Sequence, residues 1–117
     1  MHRVLVLGGS GFVGRALCER LAQSHPDLRL LVPTRRNALG QAVRPLPNVD
    51  LVTADVHNEA ALTGLVAGCD AVVNLIAILH GSQAAFEHVH VALPRRIVAA
   101  CRAAGVQRLV HVSALGV

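Results

Sequence analysis

Apolar residues in this chain come in short blocks, and the blocks change period along the sequence. Val4 to Leu7 is an unbroken apolar run of strand length. Val13, Leu17 and Leu21 then fall four apart, with Arg15, Glu19 and Arg20 mostly on other faces, which predicts a helix. Ser24-His25-Pro26-Asp27 breaks it, and Leu28 to Pro33 predicts a second strand. Ala38 to Val43 is a candidate short helix ended by Pro45 and Pro47, and Val49 to Thr53 a third strand. Asn58 is placed to cap a helix whose apolar face is Leu62, Leu65 and Val66, with Gly68 as its stop. Asp70 to Ala77 is apolar on both faces, as a central strand of a parallel sheet must be. Phe86, Val89, Leu93, Ile97, Cys101 and Ala104 recur every three or four positions, the pattern of a long amphipathic helix. Pro94 either opens the regular part of that helix or bends it, and Gly105 ends it. Arg108 to Ala114 predicts a fifth strand.

Composition narrows the class. The 117 residues suffice for one small domain, and 53% hydrophobic with 15% charged residues excludes a disordered chain. With two Phe and no Trp or Tyr, the core must be aliphatic, which suits a sheet buried on both faces. Net charge is +4 and every basic residue is arginine. These arginines are scattered or paired without aromatic platforms, so they read as solvated surface and not as a nucleic-acid interface. Cys18, Cys69 and Cys101 are far apart and form no C-x-x-C pair, which argues for reduced thiols and a cytoplasmic setting. The first apolar run is too short for a signal peptide, and Ala71 to Leu79, broken by Asn74, is too short to span a membrane.

The chemistry concentrates at Gly8-Gly9-Ser10-Gly11-Phe12-Val13-Gly14, lodged between the first strand and the first helix. A sharp exit from the strand requires positive φ, or at least no side chain, at Gly8. A missing Cβ at Gly11 lets a pyrophosphate approach the backbone, and one at Gly14 allows close packing of the helix. The N–H groups that open the helix, with its dipole, then favour an anion. A plain structural turn is the alternative, and the strand–loop–helix context weighs against it.

The spacing is G-x-x-G-x-x-G, and the segment Val4 to Gly14 resembles the N-terminus of the short-chain dehydrogenase/reductase superfamily in its extended or atypical branches, the epimerase/dehydratase-like members included. The match runs in order through Ala54-Asp55-Val56, the strand bearing Asn74, the helix into Gly105 and Leu109-Val110-His111-Val112-Ser113. The stretches Val73 to Gly81 and His111 to Gly116 look most similar to bacterial relatives of the dehydrogenase-like accessory subunit of respiratory complex I. The resemblance implies an α/β fold of Rossmann type: a doubly wound parallel sheet, strand order 3-2-1-4-5, truncated after the fifth strand. Right-handed crossovers would place the first two helices on one face and the next two on the other, leaving the fourth and fifth strands bare on the first side.

In this fold the tip of the second strand meets the adenosine ribose. No acid lies between Asp27 and Asp50, and Arg35 and Arg36 stand where it would be. A guanidinium suits a 2′-phosphate, so NADP(H) is favoured over NAD(H). The other reading is a pair of exposed loop charges. The resemblance further implies that Asp55, with Val56, contacts the adenine, although Asp55 could instead cap the next helix. It places Leu75, Ala77 and Ile78 along the ribose and nicotinamide, and gives Ser113 the position of the catalytic serine. His80 reads as loop surface, and His88 and His90, two apart on a helix, make a poor metal pair, so no metal site is expected.

The family's Tyr-x-x-x-Lys pair is missing, because the chain has no tyrosine and no lysine. The chain therefore reads as one NAD(P)-binding domain, residues 1–117, from the N-terminal part of a longer protein. Two functions follow. The first is an NADP(H)-binding module with a structural nucleotide, associating with respiratory complex subunits at the inner membrane. The second is an NAD(P)-dependent oxidoreductase or sugar-nucleotide epimerase or dehydratase. A bare apolar face predicts self-association of the fragment.

Overall fold

The computed structural model describes residues 2–9, 11–35, 46–78 and 81–112. Five strands form one parallel sheet: β1 (Arg3–Leu7), β2 (Arg29–Thr34), β3 (Val49–Thr53), β4 (Ala71–Asn74) and β5 (Arg108–His111). Their order is β3-β2-β1-β4-β5, as expected. The helices are α1 (Phe12–Ser24), α2 (Glu59–Ala67), α3 (Gln83–Glu87) and α4 (Leu93–Ala104), with a π-helical turn at His88–Ala92 between the last two. The candidate helix at 38–43 lies outside the described residues.

Alternate residues of the central strands feed two cores. Val4, Val6, Leu30 and Val32 pack with Cys18 on the α1 side. Leu5, Leu7, Leu31 and Val72 pack with Leu62, Val66, Leu93 and Ile97 on the side of α2 and α4. This is the layering that right-handed crossovers dictate. On the α1 side β4 is covered, contrary to expectation: Ala71 is buried and Val73 packs against that core. Among the described residues β5 is open, with Val110 55% exposed and Val112, just beyond it, 48% exposed.

Local chemistry sets the boundaries. Pro33 sits inside β2, but the odd residues of that strand turn their N–H toward β1, as Arg29 does toward the His2 carbonyl. β1 pairs only as far as Leu5 with Leu31, so the missing N–H of Pro33 falls beyond the paired stretch. The first helix is rotated from the face its spacing predicts. Gly14 and Cys18 are its buried residues, Leu17 and Leu21 are half-buried, and Val13 is exposed. The strand predicted to reach Ala77 stops at Asn74, whose Oδ1 accepts from the Ile76 N–H at 3.2 Å and turns the backbone out of the ladder. The long helix is interrupted where Pro94 lacks an N–H, and it ends at Gly105 with φ +74.

All three thiols are buried and unpaired. Burial pushes Cys18 and Cys69 up to about 11 and raises Cys101 as well, so they stay protonated at neutral pH. Among the described residues no helix is long and apolar enough to cross a membrane.

Candidate dinucleotide site

β1 ends in a turn that only glycine adopts without strain: Gly8 has φ +83, and its carbonyl accepts from the Gly11 N–H at 3.1 Å. The other glycines lack side chains for different reasons. A Cβ on Gly14 would stand 2.2 Å from the Gly8 oxygen and 2.5 Å from the Gly9 Cα, so α1 is pressed against the loop itself. A Cβ on Gly9 would meet the Val32 methyls at 2.9 and 3.0 Å, which makes that glycine a packing requirement. A Cβ on Gly11 would meet only the Gly8 oxygen, at 3.4 Å. Gly11, Phe12 and Val13 are exposed, so the loop opens to solvent.

Electrostatics at this opening favour an anion. α1 begins at Gly11 with no capping side chain and no acidic residue in its first turn. Nothing on the helix thus competes for its leading N–H groups, and the dipole there is positive. The end of β4 passes directly beneath, where a Cβ on Gly8 would lie 3.1 Å from the Leu75 carbonyl carbon and 3.2 Å from the Ile76 nitrogen. Leu75 is tied to β1 through its N–H to the Leu7 carbonyl at 2.8 Å. Ala77, exposed, and Ile78, half-buried, continue from it. The glycine loop and the β4 exit are therefore brought together, as a switch-point crevice requires.

A second part of the candidate site is assembled from the ends of β2 and β3. Arg35 is exposed, and its Nη2 lies 3.3 Å from Asp55 Oδ1. That carboxylate also accepts from the His57 N–H at 3.0 Å. The His57 N–H first, with Arg35 adding to it, holds Asp55 below the ordinary carboxylate range against the opposing effect of burial. Asp55 does not cap α2; Asn58 does, accepting from the Ala61 N–H at 3.0 Å. The Val56 side chain is buried in the core, so that residue offers only its backbone. Ser10, Arg36, His80 and Ser113 lie outside the described residues.

Four histidines on or beside this edge have partners that the sequence reading did not give, His88 and His90 having been read there only as a poor metal pair. His111 Nδ1 meets Asn74 Nδ2 at 3.0 Å; because Asn74 Oδ1 is committed to Ile76, the amide donates and the ring accepts. The register of Asn74 with His111 produces this pair, and a predicted strand order could have found it. His57 and His88 stack on each other, while His90 lies against Phe86 and the Ile78 backbone. Cavity size does not locate the site. A depression of about 580 Å3 lies at the opposite edge of the sheet, lined by His2, residues 24–28 and Arg108.

Residues 4–117 match the model of the NAD dependent epimerase/dehydratase family. A 4-hydroxy-2-methyl-3-oxo-4-farnesyl-3,4-dihydroquinoline-1-oxide ketoreductase from Stigmatella aurantiaca is 34% identical over 95% of this chain and 33% of its own length. A 2-alkyl-3-oxoalkanoate reductase from Stenotrophomonas maltophilia is 32% identical over the same shares. Uronate dehydrogenase from Agrobacterium tumefaciens, solved as a mutant complexed with NAD, superimposes with a TM-score of 0.76 at 30% identity, covering 97% of this chain and 41% of that one. The chain thus spans about a third of the length of the curated relatives it matches. An uncapped helix over an open glycine turn, a Rossmann sheet in the order β3-β2-β1-β4-β5 and the match over residues 4–117 agree, and the chain belongs to the NAD-dependent epimerase/dehydratase family.

Proposed function

We propose that this chain is the dinucleotide-binding part of an NAD(P)-dependent oxidoreductase that interconverts a ketone and a secondary alcohol. The observation that carries the reading is the glycine turn: a Cβ on Gly11 would come no nearer than 3.4 Å to the Gly8 oxygen, at an exposed helix start free of capping side chains and acids. The amide groups of Gly11, Phe12 and Val13 would take the diphosphate, with Ser10 beside them. Asp55 and the Val56 backbone would take the adenine, and Leu75, Ala77 and Ile78 would line the ribose and nicotinamide. When bound, the nicotinamide supplies or accepts the hydride. Ser113 is assigned to the substrate oxygen. The proton-transferring tyrosine and its lysine would come from residues outside these, since the chain contains neither.

The relatives named above are a ketoreductase, a reductase and a dehydrogenase, which favours this reading over a structural nucleotide in a respiratory complex I-type accessory subunit. We assign NADP(H) as the preferred cofactor. Arg35 is exposed at the ribose end of the site, and its contact with Asp55 at 3.3 Å is loose enough to yield to a 2′-phosphate. The double change Arg35→Ala, Arg36→Ala should weaken NADPH about tenfold or more and NADH about twofold or less, measured by fluorescence titration. Equal losses for both would remove the NADP(H) assignment. Turnover of NADPH with a β-keto acid or cyclic ketone by the full-length protein separates an enzyme from a structural holder of nucleotide.

A further inference from the structure

The π turn between α3 and α4 touches both ends of the candidate site. Pro94 has no N–H to donate to the His90 carbonyl four residues back, so the helix slips by one residue, and the Leu93 N–H reaches the His88 carbonyl five back. The slip directs two imidazoles to different neighbours. His88 stacks on His57 with ring centroids 4.2 Å apart and an interplanar angle of 26°. His57 is two residues past Asp55, whose carboxylate holds its N–H, and Arg96 of α4 holds its carbonyl at 3.0 Å. His90 Nε2 lies 3.1 Å from the Ile78 carbonyl and 3.4 Å from the Ile78 N–H. With its hydrogen on Nε2 the ring donates to the carbonyl; in the other tautomer it accepts from the N–H. Either tautomer holds the β4 exit.

We propose that the turn His88–Ala92 is a brace across the dinucleotide site: His88 positions the adenine-side turn through His57, His90 positions the nicotinamide-side segment through Ile78, and acid releases the first arm. The inference rests on the dinucleotide reading of those two segments. The groups facing the His57 ring are His88 from the π turn, Arg35 from the end of β2, Arg96 from α4 and Asp55 from the β3–α2 turn. Of these only Asp55 is negative, so a proton on His57 meets mainly repulsion. The Nδ1 atom of His57 is buried and has no partner among the described residues, so no acceptor stands ready for that proton. Burial first, then His88 and the arginines, hold His57 below its ordinary value of 6.5. The unfolded chain takes up the proton more readily, so the stabilisation is present above that value and is lost as pH falls below it.

The test is calorimetric titration of the protein with NAD, whose diphosphate does not change charge in the imidazole range, at about pH 8 and about pH 5.5. The wild type should bind about tenfold more weakly at the lower pH. His88→Phe keeps a ring on His57 and removes the neighbouring imidazole, and its loss of affinity between the two pH values should be smaller than the wild type's, about fivefold or less. His90→Leu should bind several-fold more weakly at both, and His90→Gln, which keeps an N–H donor, should recover most of that loss. A flat wild-type profile, or an undiminished acid loss in His88→Phe, would overturn the brace. Wild type that binds neither NAD nor NADPH at about pH 8 would sink the dinucleotide reading instead. The histidine pair is then read from the melting temperature: its fall on acidification should shrink in His88→Phe, and an equal fall in both proteins would overturn the acid release.

Discussion

Gly11 and Gly14 are three residues apart and lack side chains for opposite reasons. Gly14→Ala would force a methyl to within 2.2 Å of the Gly8 oxygen, where every close atom is backbone and none can swing away. Overpacking of that kind costs about 1–3 kcal/mol or more, which chemical denaturation would measure. Gly11→Ala meets nothing nearer than 3.4 Å, so stability should change by less than about 1 kcal/mol. Its methyl would occupy the approach of the diphosphate, and nucleotide affinity should fall about tenfold or more. A Gly11→Ala protein that binds as wild type would refute the assignment of the loop. Spacing along the chain identified both glycines as special. Which one is packed against backbone and which one is exposed depends on the tilt of α1 over the loop, a tertiary property with no signature in spacing.

Elements whose limits come from local chemistry were legible in the sequence. β3 occupies the stretch expected of it, and α2 lies between its cap, Asn58, and its stop, Gly68. Asn58→Ala should remove the bond to the Ala61 N–H and cost about 1 kcal/mol, seen as a lower melting temperature with unchanged nucleotide affinity. Elements that answer to a neighbour were less legible. α1 is turned so that Gly14 meets the loop, which leaves Val13 57% exposed although its spacing marks it as core. β4 stops early because the Asn74 side chain competes for a backbone N–H. Pro94 was visible as an interruption, but the register slip it produces is not a periodicity. The destinations of His88 and His90, judged on an ideal helix, therefore could not be read.

Across the whole molecule, alternation of strand and helix with right-handed crossovers accounts for the two cores, and the sheet order is the one the family resemblance implied. The same topology collects the glycine loop, the Arg35–Asp55 pair and the β4 exit at the carboxyl edge of the sheet, though the three are far apart in sequence. The two arms of the π turn reach that edge as well, and only three-dimensional placement reveals them. The most direct test of the account is a map of backbone amide shifts as NADPH is added. The amides of Gly11 to Gly14, Asp55 and Leu75 to Ile78 should move most and saturate together. Shifts confined to residues 24–28 and Arg108, around the depression at the opposite edge, or no shifts at all, would contradict it.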